Sequence, residues 1–382
     1  MNKLTENPFK FGNPVSGDYY FPRPELTNTV RQFLSNRIHV VLMGPRRFGK
    51  TSFVLDLFDH LEREGYTCIL VDIFNVTSHR DFLQQFLRSL RKKQGFKSRL
   101  TNWLKKIRNL NPQLKLEIDP NSGSFTSSLG MSLGRLNDED VRAGIQDLLE
   151  ELTYLGDRVI VVLDEFQQIS LLEDKGWLEA TVRTHFQRLT NVSFLFTGSR
   201  KGLISEMLND PSRPLYRSCQ TIEFPSFGLD FSDWIVSRFQ RVGVKCSREA
   251  VNHLRFLVQD TPNYVQMVCF HLVALARTAI DNMGIEEVLN SVAKQNAYAY
   301  QTLLTSLTLA QQRALRLAAN EMHSLFQKEL LIKYEISSAP ALHNSIKSLK
   351  QKGILDEEGT TKGKVLFDDS LFAYWLRISF PT

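Results

Sequence analysis

Ile38–Glu64 reads IHVVLMGPRRFGKTSFVLDLFDHLERE. Its opening run of aliphatics has the length and β-branched character of a strand buried on both faces, and the apolar spacing after Lys50 is that of a helix. Between them Gly44, Gly49, Lys50 and Thr51 spell G-x-x-x-x-G-K-T. That is the arrangement a phosphate-binding turn demands. Glycines let the backbone curl, successive N–H groups point inward at a helix N-terminus, a lysine adds a point charge, and a hydroxyl holds a divalent cation. Gly44, Pro45, Arg46, Arg47, Phe48, Gly49, Lys50, Thr51 and Ser52 are therefore expected to wrap a polyphosphate, with Thr51 as a Mg²⁺ ligand. The plainer alternative is a glycine-rich turn with an incidental lysine, and the strand-turn-helix setting argues against it.

Working outward, four more β-rich runs alternate with helical patterns: Thr67–Ile73, Arg158–Asp164, Ser193–Gly198 and Cys219–Phe224. Continuous rather than alternating apolar runs separated by helices imply an α/β fold, a doubly wound parallel sheet. The run VIVVLDEFQQI (Val159–Ile169) ends in paired carboxylates. Asp164 is the expected support for Mg²⁺ and Glu165 the candidate general base, because a second acid is unnecessary for metal retention and suits hydrolysis. A buried strand ending in solvated acids is the alternative for this motif taken alone. FLFTGSR (Phe194–Arg200) is a further strand ending in small polar residues and an arginine. Thr197 or Ser199 is placed to orient water or the γ-phosphate, and Arg200 to read terminal-phosphate charge; a helix cap at Ser199 explains the same residues equally well.

After Asp230 the β-rich runs stop, and helical spacing covers Ser247–Val258 and Pro262–Ala279. From Thr308 a capping pair with Gln311 opens a helix to Ala319; helices near Phe326–Lys333 and Ser338–Lys352 follow, and Gly353–Asp369 reads as a hairpin with a polar tip. That outline is a winged helix-turn-helix. The expected domains are 1–230 for the sheet core with a basic insertion at about 80–130, 231–302 for a helical domain and 303–382 for the winged helix. Within Arg80–Lys115 eleven Lys/Arg face a single acid, Asp81, with apolar residues at helical spacing. A solvated helical face, a nucleic-acid backbone and an anionic lipid surface all fit such a block. LKLEI and SFTSSLG, across PNSG, suggest a hairpin in the same insertion.

Composition narrows the classes. With 42% hydrophobic and 23% charged residues the chain is ordinary globular usage and not a disordered tract. The net charge of +6 permits polyanion binding without arguing for it. No apolar run reaches the length of a membrane span, and the N-terminus lacks a secretory apolar stretch. Four scattered cysteines without metal spacing suit reduced thiols, so a cytoplasmic setting is expected. Isolated histidines show no ligand spacing, and no nucleophile elbow occurs.

The combination of NPFKFGNPV (Asn7–Val15), FPRPEL (Phe21–Leu26), GPRRFGKTS, VVLDEFQQI, FTGSR and PLYR (Pro214–Arg217) resembles the P-loop ATPases of the STAND class, signal-transduction ATPases with numerous domains, in the branch usually called archaeal-type ATPases. The resemblance implies an AAA+-like core, a helical lid and a winged helix packed back over the nucleotide. It puts Tyr20, Phe21 and Arg23 near adenine, Arg200 at the γ-phosphate, Arg217 at the site or a subunit boundary, and Pro262 at the lid contact. The family's Gly-x-Pro reads Asp260-Thr261-Pro262 here, which puts that contact in question. ATP rather than GTP also follows from the resemblance, since no N/TKxD motif occurs.

The expected function is a Mg²⁺-dependent ATP-binding and ATP-hydrolysing switch, slow or partner-stimulated, with catalytic Lys50, Glu165 and Arg200 and cofactors ATP/ADP and Mg²⁺. The resemblance admits an unidentified protein partner and assembly on ATP binding. One alternative is an AAA+-like nucleic-acid protein with a slow ATPase, touching DNA through residues 80–115 or through Lys347, Lys350 and Lys352 of the winged helix. The acids Asp356, Glu357 and Glu358 oppose that second route. Another is an adaptor that holds ADP permanently.

Overall fold

The structure, a computed structural model, describes residues 6–91, 136–174, 176–199, 201–321, 324–356 and 365–381. Most of the basic insertion, including its expected hairpin, lies outside the described residues, as do Arg200 and the tip of the C-terminal hairpin at 357–364. The chain divides into two compact units. One is Arg23–Gly44 with Phe53–Phe224, the other Met1–Pro22 with Pro45–Ser52 and Pro225–Thr382.

The first unit is built on a sheet of β1 (Val40–Met43), β2 (Thr67–Asp72), β3 (Val159–Asp164), β4 (Val192–Gly198) and β5 (Gln220–Glu223), in the order β2-β3-β4-β1-β5. Every pairing is parallel. Each strand lies within two residues of its expected bounds. The reason is visible in burial: β1, β3 and β4 are buried along their whole length, which is what largely apolar runs without alternation require. Parallel pairing gathers the carboxyl ends of the strands at one edge. There the register sets Met43 beside Gly198 and Leu163 beside Phe196.

Around the sheet run α1 (Pro24–Ser35), α2 (Lys50–Arg63), α3 (His79–Arg91), α4 (Asp138–Glu151), α5 (Trp177–Arg188) and α6 (Lys201–Asn209). In α3 the apolar residues Phe82, Leu83, Phe86, Leu87 and Leu90 are all buried, so the stripe at the start of the basic segment packs into the core. His79 fixes the start of that helix: its two ring nitrogens face Asp138 at 3.2 Å and Asp174 at 3.0 Å. Asp174 in turn accepts the N–H groups of Gly176 and Leu178.

His39 has a different job. Phe194 N–H donates to its Nδ1 at 3.1 Å, and its Nε2 lies 3.2 Å from the Phe186 carbonyl, so the neutral ring with the proton on Nε2 satisfies both bonds. Burial pushes its pKa down to about 4. The unfolded chain takes up a proton near pH 6.5 that the folded ring refuses, so this contribution is complete above pH 6.5 and lost as pH falls towards 4. Urea unfolding should show the wild type losing, between pH 7 and 4.5, on the order of 2 to 3 kcal/mol more than His39→Asn. Equal losses in the two proteins would remove His39 from the acid response.

The second unit is helical, with α7 (Leu229–Arg241), α8 (Arg248–Leu257), α9 (Pro262–Ala274), α10 (Asn282–Gln295), α11 (Ala297–Thr305), α12 (Leu309–Asn320), α13 (Lys328–Lys333), α14 (Ala339–Gln351) and α15 (Ser370–Ser379). One continuous apolar core runs from Phe9 and Phe231 through Val268 and Leu315 to Phe372 and Leu376. The capping box of Thr308 and Gln311 is formed. Two expectations need correction. Strands do not cease after Asp230, because β6 (Lys245–Cys246) pairs with β7 (Ala279–Ile280). For the same reason α9 stops at Ala274 rather than Ala279: Ala276 turns left-handed at φ 52° and releases the chain into β7. The sequence reading also passed over α15, whose N-cap Asp369 accepts the N–H groups of Leu371 and Phe372.

The residue that stands where the resemblance expects a glycine is accommodated. Asp260 adopts φ 58°, a conformation aspartate visits more readily than most side chains. Arg255 holds its carboxylate through Nε at 2.6 Å and Nη2 at 3.0 Å. The backbone turn before Pro262, the first residue of α9, therefore survives without glycine.

Candidate functional site

The loop Pro45–Ser52 belongs to the helical unit. Its curl comes from two left-handed residues, Arg47 at φ 63° and Gly49 at φ 91°; the second is a conformation only glycine adopts without strain. Lys50 begins α2, is 5% exposed, and donates from Nζ to the Pro45 carbonyl at 2.9 Å. The charge is thereby bent back across the mouth of its own loop. Thr51 follows on the same helix, and Ser52 is buried with its Oγ accepting the Val15 N–H at 3.0 Å.

That last bond places the N-terminal segment. Asn263, Gln266 and Phe270, spaced along one face of α9, bond Gly12, Lys10 and Asn7 respectively, so residues 7–15 lie along that helix. Tyr20 is buried at the segment's end. The Phe21 ring sits 5.2 to 5.9 Å from Phe227, Phe231 and Trp234, and Phe48 of the loop lies 6.4 Å from Phe227. Tyr20, Phe21, the loop and α9 with Pro262 thus belong to one compact unit. Arg23 lies in the sheet unit, buried with its guanidinium 4.4 Å over the Phe224 ring.

The loop's arginines have acidic partners that the sequence reading missed. Arg47 lies 3.1 Å from Asp369, and Arg46 3.9 Å from Asp368. Arg47 also donates to the Tyr264 hydroxyl, which itself donates to Asp369 at 2.6 Å, while the Tyr300 hydroxyl reaches the other Asp369 oxygen at 3.4 Å. Burial raises the Asp368 carboxyl, with Arg46 and Arg47 opposing the rise. Burial, then Asp369, push the Tyr300 hydroxyl well up. The one available signal was an aspartate before SLF, the N-cap pattern that opens α15.

In the sheet unit, Gly44 follows β1 and its N–H meets the Gly198 carbonyl at 3.2 Å. Asp164 closes β3 and is 5% exposed; the fully buried Thr197 hydroxyl donates to its Oδ1, as does the Glu165 N–H at 3.1 Å. Glu165 is left-handed at φ 59°, a strained state for a glutamate and one that clusters at functional sites. Its Oε2 accepts from Ser199 Oγ at 2.7 Å and from Gln167 Nε2 at 2.5 Å. Both Asp164 and Glu165 thus stand where a parallel strand leaves the sheet, the usual address of chemistry in such folds. Arg200 lies outside the described residues. Arg217 is exposed and left-handed at φ 48°, with its guanidinium 5.2 Å over Tyr216.

A Mg²⁺ ion fits the donor chemistry. Each taken by itself, the Thr51 hydroxyl in the helical unit and the Asp164 carboxylate in the sheet unit are hard oxygen donors, and no cluster of three or more His, Cys, Asp or Glu able to hold a metal occurs among the described residues. A cation that keeps its waters and arrives on phosphate oxygens needs no such cage.

Residues 34–205 match the family profile described as the AAA domain. No protein of curated function matches the sequence. Among solved structures the chain is similar to a Walker-type ATPase of Pyrococcus abyssi, with 20% identity, 98% of this chain and 99% of that chain covered, and a TM-score of 0.59. It is also similar to the ORC2 protein of Aeropyrum pernix, solved in ADPNP-ADP complexes, at 14% identity, 95% and 97% coverage and a TM-score of 0.55. The ORC1 protein of the same organism, solved in complex with DNA, aligns at 13% identity, 94% and 93% coverage and a TM-score of 0.50. The chain therefore has the P-loop AAA+-like fold, a parallel α/β sheet with attached helices. No helix among the described residues is long and apolar enough to cross a membrane.

Proposed function

We propose that this protein is a Mg²⁺-dependent ATP-hydrolysing switch of the STAND type. Gly44–Ser52 wrap the phosphates, Lys50 supplies the positive charge, Thr51 and Asp164 hold the metal, Glu165 takes a proton from the attacking water, and Arg200 meets the γ-phosphate. Tyr20, Phe21, Arg23 and Pro262 serve the nucleoside end. When bound, Mg²⁺ neutralises charge on the β- and γ-oxygens. Residues 231–302 act as the lid and 303–382 as the winged helix, and both respond to the nucleotide.

The observation that carries the switch is the pairing of Arg46 and Arg47 with Asp368 and Asp369. The same loop that presents its amides to phosphate is tied through its arginines to the cap of α15. A triphosphate offers those guanidiniums a denser negative charge than two carboxylates do. Its arrival loosens the tie, so the state of the loop biases the C-terminal helices.

Asp369→Asn tests this, because asparagine caps a helix as well as aspartate but carries no charge. ATP should bind about fivefold tighter, as expected from relieving roughly 1 kcal/mol of competition. Hydrogen exchange over residues 365–376 should already be fast without nucleotide, whereas in the wild type it should quicken only on ATP binding. Exchange indifferent to ATP in both proteins would overturn the switch while leaving hydrolysis standing.

A further inference from the structure

Gln167 follows the paired acids by two residues and is 4% exposed. A side chain so enclosed would pack more cheaply as leucine or methionine, since its Oε1 finds no protein donor among the described residues. The amide is retained for its other end. Nε2 donates to Glu165 Oε2 at 2.5 Å, and Ser199 Oγ donates to the same oxygen at 2.7 Å. Room for the amide is made by β4: a Cβ at Gly198 would fall 2.4 Å from Gln167 Oε1 and 2.2 Å from Ile204 Cδ1. Glycine there, a buried amide opposite and a left-handed glutamate are three local sacrifices converging on one carboxylate.

We infer that Gln167 is a positioning residue for hydrolysis: together with Ser199 it locks Glu165 Oε2, so that Oε1 is the oxygen presented to the attacking water. This rests on the hydrolytic reading of Glu165. In the step served, the water oxygen bonds to the γ-phosphorus while the bond from that phosphorus to the bridging oxygen breaks. The electron pair leaves with ADP, and the water proton passes to Oε1 and then to the released phosphate. A carboxylate with one oxygen held by two donors cannot rotate about its last bond, and proton transfer is steep in that angle and distance. Neither donor touches the nucleotide in this scheme, so their loss affects turnover and not binding.

Gln167→Met keeps the volume and removes the donor, and Ser199→Ala removes the second donor at a less buried position. Steady-state ATP hydrolysis should show kcat falling about thirtyfold in Gln167→Met and about fivefold in Ser199→Ala, with KM for ATP within about twofold of the wild type. Placed in a Glu165→Gln background, Gln167→Met should cost nothing further, because the group it positions no longer accepts a proton. Wild-type turnover in Gln167→Met, or faster turnover, would overturn the inference; the second result would mean that the amide restrains Glu165. An undiminished thirtyfold loss in the Glu165→Gln background would overturn it too, by showing a general packing effect. If Glu165→Gln itself hydrolyses like the wild type, the fault lies one step earlier, in the assignment of the base.

Discussion

Glu165→Gln is expected to bind ATP with wild-type affinity and to turn it over about a thousandfold more slowly. The substitution keeps the length and shape of the side chain, and an amide oxygen still accepts from Ser199 and Gln167 in the places the carboxylate oxygen does now. Only the capacity to take a proton is lost. The left-handed backbone at residue 165 is held by the Asp164 side chain on its N–H and by the Gln168 N–H on its carbonyl, so neither glutamate nor glutamine is needed to keep the turn. The effect therefore reports chemistry and not folding. Rapid-quench measurement of ADP formation, alongside equilibrium binding, separates the two quantities. Turnover near the wild-type rate would transfer the base role elsewhere.

Lys50→Ala has the second large effect, and on binding. Nζ is a nearly enclosed charge that donates to the loop's own Pro45 carbonyl. Exchanging a neutral carbonyl for phosphate oxygens is a gain in charge complementarity that alanine cannot make, and about 3 kcal/mol is the expected loss, roughly a hundredfold in affinity. The consequence is measurable as thermal protection. ATP at a concentration a hundred times the wild-type Kd stabilises a folded binder by about 2.7 kcal/mol, whereas a protein with hundredfold weaker affinity gains only about 0.4 kcal/mol. Equal protection of both proteins by ATP would mean the lysine is a structural tie of the loop and nothing more.

Much of this architecture could be read from the residues. Runs such as Val159–Leu163 announce strands enclosed on both faces because every position needs an apolar side chain there, and the structure buries all five, with Asp164 buried after them. The loop at Gly44–Thr51 was legible because its chemistry is local: spacing alone puts amides, lysine and hydroxyl at a helix start. What stayed hidden was long-range. Nothing in Arg46 or Arg47 points to Asp368 and Asp369, more than three hundred residues away in sequence, and the tyrosines between them carry no motif. Gln167 hid for another reason: a glutamine after an acidic pair looks like a solvated turn residue until its burial is known. The short pairing of Lys245–Cys246 with Ala279–Ile280 was invisible because two-residue strands have no periodicity to detect. Asp260 shows the converse case. A missing glycine puts the expected contact of Pro262 in question, and what the sequence does not show is that a nearby arginine holds Asp260 in the left-handed backbone.

The claim on which the rest depends is that the loop around Lys50 grips a nucleoside triphosphate. Isothermal titration of the full chain with ATP in excess Mg²⁺ tests it most directly. A saturable heat with one site per chain, weakened when EDTA removes the metal and nearly erased in Lys50→Ala, is the predicted result. No heat from ATP or any other purine triphosphate, with the chain folded and Mg²⁺ present, would contradict it.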